Sequence, residues 1–309
     1  MQHLSSLDQI HLDASWVTIG SFDGVHRAHQ EIVARLVAGA HAQNLPAVLV
    51  TFFPHPSVVL RGNQDAIYLT TPDERAELIG ALGIDTIITL KFTRELSTTP
   101  AKDFIASLSS RLGMKQLWVG FNFALGRGRE GDISTLRLFG DIYGYQLVVT
   151  PPVKINEEAI SSSLIRAALT KGEIDRANRM LNRCYSVEGP VMHGDGRGRS
   201  IGIPTANLDV WPEQVIPAIG VYATWTTVDG QRHPSVTNIG VRPTFENQPQ
   251  QPRVETLILD FDQDLYGKKV RVEFVEYLRG ERKFPSVDAL LSQIRQDIER
   301  ARGSLTHEF

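Results

Sequence analysis

The sequence predicts an α/β protein of two domains: a doubly wound parallel sheet over residues 1–183, then an antiparallel β-structure with a closing helix over residues 184–309. Three observations carry this reading. The chain has 309 residues, long for a single hydrophobic core. Its first half alternates short β-rich runs with helical stretches, the pattern of a parallel sheet with crossover helices. Near residue 184 the texture changes to short alternating segments separated by Gly, Pro and Asn, which suits an antiparallel barrel or sandwich.

The β-rich runs of the first half are residues 16–20, 47–53, 86–92, 116–120 and 146–153. They are dense in Val, Ile, Leu, Phe and Thr with little polar alternation, as strands buried on both faces are. One intervening helix starts at Thr71-Pro72-Asp73-Glu74, which combines an N-cap, a proline at the first helical position and a capping-box glutamate. Ligands of such sheets gather at the carboxyl ends of the strands. Residues 164–183 form the last helical stretch, interrupted by Gly172. Strands are then expected at 185–192, 220–228, 235–239, 254–261 and 270–277. Ser286 caps a final helix whose apolar stripe is Val287, Leu290, Leu291, Ile294 and Ile298. The tail from Gly303 is expected to fray.

Composition narrows the function. A formal net charge of −3 without any run of Lys and Arg gives nucleic acid no electrostatic footing. The single cysteine, Cys184, excludes an intrachain disulfide and a cysteine-built metal site. Without acidic or histidine partners nearby in sequence, it reads as a packed, idle thiol. The first residues lack the pattern of an export signal, and no stretch approaches the roughly 20 apolar residues of a membrane span. A cytoplasmic protein is expected.

The segment Gly20-Ser21-Phe22-Asp23-Gly24-Val25-His26-Arg27-Ala28-His29 joins the first expected strand to a helix. Gly20 and Gly24 let backbone approach a ligand, and the new helix offers unpaired N–H groups to a phosphate. His26 and His29 share a helical face and could stabilise a phosphoryl group in transfer. Two histidines alone would as readily be a surface residue and a cap; the glycines and the strand-to-helix context tilt the reading. A second segment carries Gly194, Gly196, Gly198 and Gly202 and then Pro204-Thr205-Ala206-Asn207. It is not a Walker A loop, since no Gly-Lys-Ser/Thr follows, yet its amides could wrap phosphates. Thr205 and Asn207 fall on one side of an extended chain, where two neutral oxygens could help place Mg²⁺.

Both segments resemble known signatures. The first is similar to the nucleotidyltransferase histidine motif of bacterial flavin adenylyltransferases. Gly120-Phe121-Asn122-Phe123-Ala124-Leu125-Gly126 with Arg127 to Asp132 resembles that family's flavin-side loop. Ile160-Ser161-Ser162-Ser163-Leu164-Ile165-Arg166 resembles its phosphate-binding motif. The second segment resembles the riboflavin kinase signature G-x-G-x-x-x-G-x-P-T-A-N. Downstream stretches in family order are Gly220-Val221-Tyr222, Asn238-Ile239-Gly240-Val241-Arg242-Pro243-Thr244-Phe245, residues 254–261, Asp264-Leu265-Tyr266-Gly267 and Leu278-Arg279-Gly280-Glu281-Arg282-Lys283-Phe284.

The resemblance implies a Rossmann-like nucleotidyltransferase domain and a β-barrel kinase domain. ATP would phosphorylate riboflavin to FMN and adenylylate FMN to FAD, releasing pyrophosphate. His26 and His29, with Gly20, Phe22, Asp23 and Gly24, would hold the triphosphate. Arg166, Ser161 and Ser162 would meet the leaving pyrophosphate, and Asn122 and His55 the flavin. In the kinase domain Glu255 would be the general base. Thr205 and Asn207 would hold Mg²⁺, Gly194, Gly196 and Gly202 would line the phosphates, and Arg279 would contact flavin or phosphate. In an extended strand Glu255 shares a face with Leu257 and Leu259, and desolvation there would raise its pKa.

The sequence departs from the family at Ala28, where a glycine is usual, at Ser163 and Leu164, where Thr-Arg is frequent, and at Leu257, often a histidine. Losing one charged hydrogen bond costs about 1.5–3 kcal/mol, or roughly one to two decades in rate. A kinase with an impaired or regulatory first domain, and a non-catalytic flavin sensor, are the alternatives. Expected partners are riboflavin, FMN and ATP, with no nucleic acid and no membrane; the sequence does not define an oligomeric state.

Overall fold

The structure, a computed structural model, describes residues 1–62, 68–194, 202–241 and 252–306. Its described residues form two compact units, one within 1–65 and 70–161, the other within 66–69 and 162–309. The first unit runs β1 (Gln2–Leu4), β2 (Ser15–Ile19), α1 (Arg27–Ala42), β3 (Ala47–Phe53), α2 (Pro56–Arg61), α3 (Pro72–Ala81) and β4 (Thr86–Lys91). It continues through α4 (Arg94–Thr98), α5 (Ala101–Leu112), β5 (Met114–Gly120), α6 (Ile133–Tyr143) and β6 (Gln146–Thr150), ending in a small ribbon of β7 (Lys154–Ile155) and β8 (Glu158–Ala159).

Its six-stranded sheet has the order β1-β4-β3-β2-β5-β6, and every pair is parallel. The strands bury both faces, as their composition predicts. Trp16 of β2 enters one core with Val33 and Leu36 of α1. Its neighbours Val17 and Ile19 enter the other with Ile105 and Leu108 of α5. Thr71 caps α3 as expected, its hydroxyl accepting from the Glu74 amide at 3.1 Å. The chain progresses outward through β2, β3 and β4, then returns to place β5 on the other flank of β2. The carboxyl ends of β2 and β5 therefore bracket the topological switch point, where open α/β sheets bind ligands.

The second unit begins with α7 (Ser162–Thr170) and α8 (Ile174–Leu181), separated at Gly172. Then follow β9 (Tyr185–Met192), β10 (Ala206–Leu208), β11 (Gly220–Val228), β12 (Gln231–Gly240), β13 (Arg253–Ile258), β14 (Lys269–Arg279) and α9 (Val287–Leu305). The strands close into a barrel in the order β10-β13-β12-β11-β14-β9, antiparallel throughout. Its interior is partly polar. Thr224, Thr226, Thr237 and Thr256 are fully buried and linked hydroxyl to hydroxyl: Thr224 to Thr237 at 2.8 Å, Thr237 to Thr256 at 3.0 Å, Thr226 to Thr256 at 3.3 Å. Outward-facing Val221, Ala223, Val236 and Leu278 pack against Ala301 and Leu305 of α9.

Three expectations are corrected. Strand β1, three residues long, was not anticipated. The last helix does not fray at Gly303; it continues to Leu305, because Ala301 and Leu305 are buried against the barrel. Val287, expected in the apolar stripe, is 55% exposed, and the deepest residues of α9 are Asp297, Ala301 and Leu305.

Candidate active sites

The first constellation sits where β2 ends. Its backbone turns sharply: Phe22, Gly24 and Val25 all have positive φ, at 49°, 79° and 40°. For a β-branched residue such as Val25 that conformation is strained, and Gly24 supplies the one position where it costs little. Asp23 is wholly buried. Its carboxylate accepts from the Thr70 amide at 3.4 Å and lies 3.6 Å from the guanidinium of buried Arg75. Arg75 also donates to the Ser21 carbonyl at 3.1 Å, and the Gly24 amide donates to the Thr70 hydroxyl at 3.3 Å.

The turn delivers His26 to the N-cap of α1, but its side chain makes no cap hydrogen bond there. It stacks on His29 instead, ring centroids 3.6 Å apart and planes at 15°. Phe22 covers His29 from 4.9 Å. Both histidines therefore belong to one cluster beside the first-turn amides of a 16-residue helix, a site suited to anions. Burial first, then the neighbouring His26 and Arg75, hold His29 well below the usual histidine range. A neutral His29 in the free protein is the consequence.

The loop after β5 forms the other wall of the switch point. It is pinned to the start of α5: Glu130 accepts from the Ala101 amide at 2.8 Å, and the Arg127 amide donates to the Thr99 carbonyl at 3.0 Å. Asn122 is exposed at its rim, its carbonyl accepting from Arg129 at 3.1 Å. His55 caps α2, its Nδ1 accepting from the Ser57 amide at 3.2 Å. Ser161 closes the first unit, whereas Ser162 and Arg166 stand on α7 in the second. Arg166 donates to the Ser163 hydroxyl at 3.5 Å.

The second constellation lies on the outside of the barrel. Strand register aligns Met192, Asn207, Glu255 and Asn238 across β9, β10, β13 and β12, and directly opposed residues project from one face. The buried face of β13 is Val254, Thr256 and Ile258, so Glu255 and Leu257 are only half-buried. Glu255 shares its face with Leu257 as expected, but that face is half-buried rather than fully buried, and Leu259 lies beyond the strand end. Gly194 is held against Asn207: a Cβ at 194 would fall 2.2 Å from the amide nitrogen of Asn207 and 3.1 Å from its oxygen. Thr205 directly precedes β10 and is half-buried, and Gly202 is exposed. Gly196, like the rest of 195–201 and Arg242 to Phe245, lies outside the described residues.

Arg279 is engaged elsewhere. Its Nε and Nη2 bind Asp297 of α9 at 2.7–3.0 Å, and its Nη1 donates to the Gly280 carbonyl at 3.0 Å. Asn238 is the residue that sequence reasoning passed over: it lay inside a quoted motif, and only strand register sets it beside Glu255. Cys184 is buried as expected, and burial pushes its thiol up to about 11.

A strained glycine turn with two stacked histidines at a switch point, and a carboxylate flanked by two amides on a barrel, suit a transferase that handles phosphate groups. The chain matches the FAD synthetase family model over residues 8–164 and the riboflavin kinase family model over residues 181–305. Among similar proteins are those of Bacillus subtilis (36% identical, over 93% of this chain and 91% of that one) and Escherichia coli K12 (35%, over 97% and 95%). Both are named bifunctional riboflavin kinase/FMN adenylyltransferase. A solved structure from Streptococcus pneumoniae, described as a macrolide-efflux protein, is 30% identical over 97% of this chain and 98% of that one, with a TM-score of 0.89. Among the described residues no helix is long and apolar enough to cross a membrane. The chain belongs to the bifunctional riboflavin kinase/FMN adenylyltransferase family.

Proposed function

We propose that the two constellations divide the family's two reactions between them, riboflavin phosphorylation at the barrel and FMN adenylylation at the switch point. The protein is an enzyme with both activities; an impaired first domain or a non-catalytic sensor is not favoured, since relatives matching nearly the whole chain bear the bifunctional name. The observation that carries the division of labour is the aligned row of Asn207, Glu255 and Asn238 on the barrel, a site complete in its own strands.

In adenylylation the FMN phosphate attacks the α-phosphorus of ATP, the α–β bridging bond breaks, and pyrophosphate leaves. No covalent intermediate on the protein is required, so catalysis is alignment and charge stabilisation. His26, His29 and the first-turn amides of α1 hold the triphosphate; Gly20, Phe22, Asp23 and Gly24 shape the turn that presents them. Asn122 and His55 serve the flavin, while Ser161, Ser162 and Arg166 serve the departing pyrophosphate. A forked guanidinium suits phosphate oxygens better than an ammonium does.

In phosphorylation Glu255 accepts the proton of the riboflavin 5′-hydroxyl as that oxygen bonds to the γ-phosphorus and ADP leaves. Phosphoryl transfer is commonly loose, so alignment outweighs the base. The neutral oxygens of Thr205 and Asn207, beside a carboxylate, fit a hard cation that keeps several waters. Bound Mg²⁺ would offset phosphate charge. Gly194, held against Asn207, leaves no room for a side chain beside that amide, and Arg279, tied to Asp297, orients the segment after β14. Cytoplasmic residence belongs to the same reading, and the lone thiol of Cys184 accords with it.

The test is to incubate the purified protein with riboflavin, ATP and Mg²⁺ and separate the flavins. Glu255→Gln should slow FMN formation about a hundredfold, the lower end for loss of a general base, while FAD formation from supplied FMN is unchanged. Equal loss of both activities would sink the two-site assignment.

A further inference from the structure

The role of Asp23 raises a question that the histidines do not answer: what holds in place a turn with three left-handed positions among the four residues from Phe22 to Val25? The answer lies on α3 and just before it. Arg75 is 2% exposed and Asp23 is 0% exposed, so neither side chain reaches bulk solvent. One guanidinium nitrogen binds the Ser21 carbonyl at 3.1 Å while another faces Asp23 at 3.6 Å. Thr70 closes the bracket, its amide and hydroxyl directed at Asp23 at 3.4 and 3.5 Å and its hydroxyl accepting from the Gly24 amide. Thr51 of β3 donates to the same Ser21 carbonyl at 3.0 Å. The turn that carries His26 and His29 is thus gripped from beneath by a buried cation.

We propose that Arg75 is a positioning residue for adenylyl transfer, fixing the backbone from Ser21 to Gly24 so that His26 and His29 stand stacked at the start of α1. A buried ion pair is a poor source of net stability, because desolvation offsets its attraction, but it specifies geometry when additional hydrogen bonds satisfy it. Here the satisfied partner is the backbone of the phosphate-side turn itself. The guanidinium also acts through space. After burial and the neighbouring His26, it is the third influence that disfavours a proton on His29. The same residue thereby holds the shape of the turn and adds to what disfavours a proton on His29 before nucleotide arrives.

This inference rests on assigning His26 and His29 to the triphosphate, and the experiment separates the two. In the full-length protein, Arg75→Lys keeps the charge but loses the fork, and Arg75→Met loses both. The helical circular-dichroism signal and its thermal midpoint report that the first unit of each variant is folded, and riboflavin kinase activity of the same samples reports the barrel. Arg75→Lys is expected to lower kcat for FAD formation about ten- to a hundredfold, the span of one lost charged hydrogen bond, with KM for FMN near that of the parent. Arg75→Met is expected to raise the His29 titration midpoint, read from its ring protons by NMR, because a like charge near the imidazole is removed. Should Arg75→Met weaken the first unit too far for spectroscopy, Asp23→Asn supplies the second test: the guanidinium stays, and kcat falls without the midpoint rising. Wild-type kcat in Arg75→Lys, or an unmoved midpoint in Arg75→Met, overturns the proposal. His29→Asn is the control for the underlying assignment: intact FAD formation in that variant removes the assignment itself, whatever Arg75 does.

Discussion

Substituting Gly194 with alanine probes the kinase site through a single carbon atom. A Cβ at 194 would lie 2.2 Å from the Asn207 amide nitrogen, 2.8 Å from its Cγ and 3.1 Å from its oxygen. Ordinary contact needs more than 3.4 Å, so the amide must retreat by over an ångström. Asn207 has two side-chain torsions with which to do so, and the off-rotamer cost is about 0.5–1.5 kcal/mol. That corresponds to a melting shift of only a few degrees for a unit of this size. The functional cost is larger, because the displaced oxygen is one of two proposed to face the metal. Loss of one charge-assisted contact, about 1.5–3 kcal/mol, predicts FMN formation slowed roughly ten- to 150-fold. Raising Mg²⁺ should restore part of it. FAD formation from supplied FMN, measured in the same sample, is the internal standard and should not change. A Gly194→Ala protein that phosphorylates riboflavin at the parental rate would refute the reasoning, since Asn207 would then be displaced without consequence.

Further expectations concern stability. His29 is held neutral when folded, whereas in the unfolded chain it takes a proton near its ordinary value of about 6.5. Below that pH the unfolded state binds the extra proton, so stability falls as pH falls, by about 1.4 kcal/mol per unit until the folded form also titrates; chemical denaturation from pH 7.5 to 5.5 should show this slope, and His29→Phe should flatten it. Asp297 is 5% exposed and holds Arg279, so Asp297→Ala should cost about 3 kcal/mol, measurable as a lower denaturation midpoint, with Asp297→Asn recovering part. Thr237 stands between Thr224 and Thr256 inside the barrel. Thr237→Val strands the Thr224 hydroxyl and leaves Thr256 only its longer bond to Thr226, and should cost about 1–3 kcal/mol, while the triple change of Thr224, Thr237 and Thr256 to Val should cost less than the sum of three single ones.

Strands such as β3 were legible because a β-branched and aromatic run is bounded by turn residues, and its limits match the expected 47–53. Strand β1 was not, since Gln2-His3-Leu4 carries no such run and exists as a strand only by pairing with β4. The histidine spacing announced a shared face, and the stacked rings follow from it. The face that Glu255 shares with Leu257 was legible from strand alternation, but its burial was not. Alternation says that two faces exist; which of them closes the barrel and which is half-covered depends on the closure itself. The partner of Arg279 is 18 residues further on, on a helix whose docking no local pattern reveals. Likewise, nothing in the sequence around His26 points to Arg75, which meets the turn only after β3 and α3 are packed.

The contrast between the two sheets has a colloidal consequence. Among the described residues the barrel closes on itself, so it presents no unsatisfied row of amides and carbonyls onto which a foreign strand could be templated. The open sheet ends at β1 and β6, and the β1 border is three residues long, with Gln2 and His3 exposed. A short polar border is a poor seed for intermolecular strand addition. Self-association by that route, if provoked by heating, should begin at the five-residue β6 border, which Lys or Pro substitution there would block.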